Sequence, residues 1–153
     1  MKSNSPLKQE LYAQCVDFVK ARYTNIHTQI REIQAALTSE TKSSAGDKHE
    51  TGRAMLQLER EKVGQQLAEI EKVMENLSKI DITKSTELVS LGSIVFTSQS
   101  NYFIAVSAGQ FRVNSDSFYA ISPNTPIGLA LTGKKEGDQI IFRDQQFIIE
   151  AIE

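Results

Sequence analysis

From Tyr12 to Leu37 the apolar residues alternate spacings of four and three: Tyr12, Val16, Val19, Tyr23, Ile26, Ile30, Ile33 and Leu37. That is a heptad seam sustained for nearly four repeats, and it predicts a helix over residues 7–37. Leu11, Cys15 and Phe18 widen the stripe near its start, so the base of this helix is expected to pack on more than one neighbour. A second seam follows over residues 50–80. Leu56, Val63, Ile70 and Leu77 stand seven apart, Leu67 and Met74 fill the matching positions, and Arg60 takes the first of them. The flanks of this helix are charged: Glu59, Glu61, Lys62, Glu69, Glu71, Lys72 and Glu75. Between the seams, residues 38–46 are rich in Ser, Thr and Gly and read as the reversal. Neither helix hides its seam alone, so the pattern predicts an antiparallel hairpin. At 1.5 Å per residue, arms of about thirty residues give a length on the order of 45 Å.

After a polar stretch at 81–87 the period changes to two. Short strands are predicted over 88–97, 102–107, 110–113, 117–121, 139–142 and 146–152, separated by turn-forming residues such as Asn114-Ser115-Asp116 and Arg143-Asp144-Gln145. Residues 125–132 predict one short helix, with Pro126 in its first turn and Gly133 just past its end. The expected fold is α+β: a coiled-coil hairpin over 1–80, a linker over 81–87, and a small, curved, mostly antiparallel sheet domain over 88–153.

Composition narrows the function classes. The 153 residues carry a formal net charge of −2, so bulk attraction to nucleic acid or an anionic membrane is not expected, nor is independent DNA binding. The polar first ten residues lack the apolar core of a secretory leader, and no apolar run approaches the roughly 20 residues that span a bilayer. Cys15 is the single cysteine, which excludes a disulfide framework; it reads as a small buried hydrophobe. His27 and His49 are isolated and expected to face solvent. The sequence contains no Ser-His-Asp pattern, phosphate loop or dinucleotide fingerprint, so an enzyme acting alone is not expected. A cytoplasmic protein is the simplest expectation.

The positions that carry candidate chemistry are Asp47 and Glu50, where the second helix begins. Carboxylates three residues apart on a helical turn face one side. The same spacing also spells a capping box, in which Asp47 caps the helix and Glu50 reaches back to the cap N–H. The residues alone leave both roles open.

The run Ile121-Ser122-Pro123-Asn124-Thr125-Pro126-Ile127-Gly128-Leu129-Ala130-Leu131-Thr132-Gly133-Lys134-Lys135-Glu136-Gly137-Asp138 resembles the pattern I-S-x-x-S-P-I-G-x-A-L-x-G-K-K-x-G-D of the Gre family of bacterial transcript cleavage factors. Val89-x-x-Gly92-Ser93-x-Val95 resembles the first strand of that family's globular domain, and Phe147 to Ile152 its last. Gly46-Asp47-x-x-Glu50 aligns with the family's tip motif G-D-x-x-E. The resemblance covers most of the chain, densely in the second half and sparsely in the first.

The resemblance implies a coiled coil followed by an FKBP-like domain. It implies RNA polymerase as partner, with the globular domain on the rim of the secondary channel and the hairpin inside, where the nascent RNA 3′ end of a backtracked complex lies. The candidate docking residues it points to are Ser122, Pro123, Pro126, Ile127, Gly128 and Lys134. Asp47 and Glu50 would help hold a Mg²⁺ shared with the polymerase, no cofactor being bound stably by the chain itself, and Lys48 between them is a candidate contact to RNA phosphate. The protein would be an accessory factor, not an enzyme.

Mg²⁺ takes near-octahedral oxygen ligands, so two carboxylates alone bind it weakly and need further ligands from a partner. In a shared two-metal site they assist activation of water and stabilisation of the leaving oxygen. The chain departs from the family pattern after Glu50. The usual E-N-A-E-Y is here Glu50-Thr51-Gly52-Arg53-Ala54, with Arg53 for an acid and Ala54 for an aromatic. A factor that occupies the channel and modulates transcription without cleavage is therefore the alternative, and a coiled-coil adaptor or peptide-binding module is the alternative of another class.

Overall fold

The computed structural model describes residues 5–42 and 47–153, and side chains over 5–40 and 50–153. The architecture is α+β. Two long helices, α1 (Pro6–Lys42) and α2 (Asp47–Ser78), precede strands β1 (Ile94–Thr97), β2 (Asn101–Ile104), β3 (Gly109–Val113) and β4 (Asp116–Ile121), a short helix α3 (Pro126–Leu131), and strands β5 (Gln139–Phe142) and β6 (Gln145–Ile152). By contact density the chain forms two compact units. One joins 1–18 with 75–153; the other is 19–74.

The unit of residues 19–74 rests on the predicted seam. Val19, Ile26 and Ile33 are buried on α1, as are Val63 and Ile70 on α2, each set seven apart. The alternate seam positions Tyr23, Ile30, Leu37 and Leu67 are only half-buried, as is Leu56, the first residue of the enclosed row on α2. A two-helix seam has solvent on both sides, so one position per heptad is enclosed and the other lies at its border. Near the reversal, Gly52 faces the Glu40 carboxylate, and a Cβ there would sit 3.5 Å from Oε1. His27 is half-buried, not solvent-facing, because its ring packs edge-on against Tyr23 one turn earlier, with centroids 4.4 Å apart.

Helix α1 continues to Lys42, so residues 38–42 are helical where their composition predicts the reversal. The Thr38 hydroxyl donates to the Gln34 carbonyl at 2.9 Å, an intrahelical bond that satisfies the Thr side chain without breaking the helix. The remainder of that predicted turn, 43–46, lies outside the described residues.

In the other unit the sheet runs in the order β3-β4-β2-β1-β6-β5, antiparallel throughout except for the parallel pair β2–β4. Alternation sorts its side chains. Val95, Ile104, Ile140, Phe147 and Ile149 gather with Val89 and Leu131 in one core, against which Ile127 and Ala130 of α3 also pack. Phe103, Phe118 and Ala120 point the other way and are also buried, with Phe96 and Phe118 meeting edge to face at 5.9 Å. Leu11 and Cys15 are fully enclosed, which accounts for the widened stripe at the start of α1. Tyr12 Oη donates to the Leu77 carbonyl at 3.3 Å, so the start of α1 meets the end of α2. With Glu40 beside Gly52 at the opposite ends, the two helices run antiparallel.

The predicted strand over 88–97 is shorter. Gly92 has φ of +93°, and the Ser90 N–H donates to Ser93 Oγ, which closes a turn before β1 starts. Val89 instead exchanges bonds with Lys134 O and Gly133 N, both at 2.8 Å. Among the described residues no helix is long and apolar enough to cross a membrane.

Candidate functional site

Two segments carry the predicted site residues, and each is built by its own local chemistry. The first is the opening of α2. Asp47 starts the helix, and Glu50 stands exposed in its first turn. The side chains of Asp47, Lys48 and His49 lie outside the described residues, as does the capping contact predicted between Asp47 and Glu50. Thr51, Arg53 and Ala54 are exposed, so three of the four positions at which the chain departs from the Gre pattern face outward, while Gly52 faces Glu40. One turn on, Met55 and Leu58 are 65% and 66% exposed, an apolar pair that the heptad leaves off its seam. Among the described residues no group of three His, Cys, Asp or Glu side chains converges to hold a metal ion. A hard divalent cation fits the oxygen donors of Asp47 and Glu50 only when its remaining ligands come from outside this chain.

The second segment is the loop and helix over 121–138. Thr125 is the N-cap of α3: its hydroxyl accepts from the Gly128 N–H at 3.1 Å and donates to the Ser122 carbonyl at 2.7 Å. Pro126 occupies the first turn, where its missing N–H costs nothing. Gly128 is buried because the Ser122 carbonyl crosses it; a Cβ there would come within 2.3 Å of that oxygen. The Gly128 carbonyl accepts from both the backbone and the hydroxyl of Thr132. Gly133, at φ +83°, then turns the chain out of the helix. Lys135 N–H donates to the Asp138 carboxylate at 2.9 Å and closes the following turn.

This network divides the predicted docking residues. Pro126 and Lys134 are exposed; Ser122 and Pro123 are half-buried; Ile127 packs on the core; Gly128 is enclosed. The first two are accessible at the surface, and the others hold the loop in shape. Sequence reasoning passed over Leu129, which is 65% exposed on the outward side of α3 beside Pro126. Its signal was present: in a helix whose Gly128 and Leu131 face inward, position 129 faces outward. Thr125 as N-cap was also missed, although Thr-Pro before an apolar run is a helix start.

Two buried titratable groups complete the electrostatics. Lys8 is 1% exposed, and its Nζ donates to the Lys84 carbonyl at 3.0 Å. Burial pulls its pKa down, while the Glu153 and Asp81 carboxylates oppose that shift. The Cys15 thiol is pushed up to about 12 by burial, against a hydrogen bond from the Val106 backbone. A thiol held neutral in this way is neither a nucleophile nor a metal ligand near neutral pH.

No family model and no curated protein matches the chain. Among solved structures, one described as the transcription factor Gfh1 is 22% identical over 87% of this chain and 94% of its own, with a TM-score of 0.34. Another, described as GreA factor homolog 1 (Gfh1) of Thermus thermophilus, is 21% identical over 88% of this chain and 96% of its own, again with a TM-score of 0.34. At these identities and superposition scores the likeness carries no functional argument.

Proposed function

We propose that this protein is a Gre-like accessory factor of RNA polymerase that assists cleavage of backtracked nascent RNA. The observation that carries the reading is the position of the acids. Asp47 and Glu50 open the second of two long antiparallel helices, immediately after the chain reverses, and Glu50 is exposed there. An acid pair at the end of a slender hairpin can enter a channel that a globular surface cannot. The family-like run from Ile121 to Asp138 supports the same reading, because it forms a pre-shaped loop and helix with Pro126 and Lys134 exposed.

In this proposal Asp47 and Glu50 supply carboxylate oxygens to a Mg²⁺ that is otherwise held by the polymerase. Such an ion, when bound, supplies activation of water and neutralisation of charge at the scissile phosphate. The chain's own contribution is to orient the two acids through the first turn of α2, with Lys48 beside them as a phosphate contact. Docking on the channel rim falls to the surface around Ser122, Pro123, Pro126, Ile127, Gly128 and Lys134, where the exposed side chains make contact and Gly128 and Ile127 keep the shape. The chain adds ligands and position to a reaction performed by the polymerase.

A second reading is favoured by one observation. Arg53 and Ala54 are exposed just past Glu50, where the family pattern has an acid and an aromatic. A hairpin so altered suits a regulator that occupies the channel without promoting cleavage.

The deciding experiment adds the protein to a stalled, backtracked complex of its cognate polymerase with Mg²⁺ varied, as wild type and as Asp47→Ala/Glu50→Ala. Cleavage that disappears in the double variant while binding persists supports the metal-donor role. Binding without cleavage by the wild type moves the function to the regulator. No binding to core polymerase removes both readings.

A further inference from the structure

Between the end of α2 and the start of β1, residues 79–93 enclose a cavity of about 180 Å³. Lys79, Lys84 and Ser93 line it, together with Asp81, Thr86 and Ser90. At roughly 30 Å³ of liquid per water, it has room for about six waters. It is smaller than the roughly 300 Å³ at which pockets for drug-sized ligands begin. A small ion with part of its hydration matches that size.

The hydrogen bonds around the cavity leave donors in surplus. The Thr86 hydroxyl donates to the Leu88 carbonyl at 2.7 Å, so in its 3.1 Å contact with Ser90 Oγ the Ser90 hydroxyl is the donor. Both of those protons are spent. Ser93 Oγ accepts from the Ser90 N–H at 3.0 Å, but its own proton meets no acceptor among the described residues. Ser93 is 3% exposed, so a donor left open there carries a cost that a ligand oxygen would remove. The charges are also in surplus. Lys84 forms no ion pair among the described residues, and Lys79 reaches Glu75 only at 3.9 Å, in an exposed pair of little strength. The carboxylate of the lining, Asp81, is engaged in its own turn, where Oδ1 accepts the Thr83 N–H at 2.9 Å and the Thr83 hydroxyl. Its charge also acts on the buried Lys8 ammonium. Lys8 Nζ in turn donates to the Lys84 carbonyl at 3.0 Å, which fixes the backbone that carries Lys84 to the cavity.

We propose that this cavity binds a tetrahedral oxyanion, either inorganic phosphate or the phosphate group of a small ester. Lys79 and Lys84 supply the positive charge, and the enclosed Ser93 hydroxyl donates to one oxygen. Three donors on separate residues suit a tetrahedral ion better than a planar carboxylate, and a divalent ion meets both ammoniums. The lysines are exposed, so water screens their charge. The affinity is accordingly modest, with Kd on the order of 1 mM. The site uses neither acid of the α2 opening nor any residue of 121–138, and it stands independently of the polymerase reading.

The test is amide NMR of the full chain near neutral pH, titrated with sodium phosphate from about 0.1 to 30 mM while sodium chloride holds the ionic strength constant. The expected result is a saturable shift of the Lys84, Leu91 and Ser93 amides, described by one Kd. Lys79→Gln/Lys84→Gln removes two exposed charges and keeps the Lys84 carbonyl for Lys8, so folding persists. It should raise Kd at least roughly tenfold. Lys72→Gln, an exposed charge outside this stretch, should leave Kd unchanged. Methyl phosphate titrated in parallel separates the two sources: equal binding supports the ester, and binding of inorganic phosphate alone supports the free ion. Shifts that never saturate overturn the proposal, as do shifts that chloride reproduces. So does a Kd indifferent to the double variant, or one raised as much by Lys72→Gln.

Discussion

The sheet-bearing unit and the unit of residues 19–74 hold their structure by different means. In the first, side chains from several strands and helices enclose one another: Phe103, Ile104, Ile149, Leu11 and Cys15 are all at 0% exposure. In the second, burial falls only once per heptad, at Val19, Ile26, Ile33, Val63 and Ile70, and the alternate seam positions remain half-exposed. A sheet core draws on contacts distant in sequence and loses them together. A two-helix seam is a row of nearly independent layers, so it can loosen one layer at a time. Local opening is therefore expected to cost less at the opening of α2 than around α3.

The largest effect expected is from Phe103→Ala, which empties a fully enclosed aromatic site and should cost about 3–5 kcal/mol of global stability. Denaturant unfolding measures it, and a cost under 1 kcal/mol would break the contrast drawn above. Next comes alkaline pH. Cys15 has a usual pKa of 9.0 and is held up to about 12 in the fold. The folded state therefore binds the thiol proton more tightly than the unfolded chain. The stability is fully present below pH 9 and is lost as pH rises towards 12, by up to about 4 kcal/mol. Lys8, whose pKa burial lowers, works in the opposite direction at high pH. Comparing unfolding of wild type and Cys15→Ala between pH 8 and 11 isolates the thiol, whose contribution to the slope should vanish in the variant.

Gly128→Ala should cost roughly 2–3 kcal/mol, because its Cβ would meet the Ser122 carbonyl at 2.3 Å and backbone must shift to relieve it. The same variant should weaken any partner that docks on Pro126 or Lys134. Ile26→Ala should cost about 2–3 kcal/mol, but locally. Hydrogen exchange should speed up in the neighbouring turns of α1 and leave β1, β2 and β6 unchanged; acceleration in those strands would mean that the two units unfold as one. The smallest effect is a gain. Asp144 lies at φ +59° in the β5–β6 turn, and Asp144→Gly should stabilise by roughly 0.5–1 kcal/mol, seen as a small rise in Tm.

Much of this architecture was legible in the chain. The heptads of Tyr12–Leu37 and Leu56–Leu77, the change to period two after residue 87, and the Pro126 and Gly133 boundaries of α3 follow from local rules that act within a turn or a strand. The helical continuation over 38–42 was not legible, because composition favours a turn and only the Thr38 bond to Gln34 shows how the hydroxyl is satisfied. Nor was the early break at Gly92, since Val89 bonds to residues more than forty positions away. Lys8 sits in a polar N-terminal stretch and gave no sign that its side chain would be enclosed. In the candidate site, the exposure of Glu50 at the start of α2 followed from its place off the seam. The division of Ser122–Lys134 into presenting and shape-holding residues did not.

By itself, then, the chain's apolar spacing determined that two long helices precede a small sheet, because periodicity is a local property and burial follows it. Only the tertiary structure decided which side chains became inaccessible and why Gly128 tolerates no Cβ. Those outcomes depend on which distant backbone passes within a few ångströms, and no window of sequence contains that information.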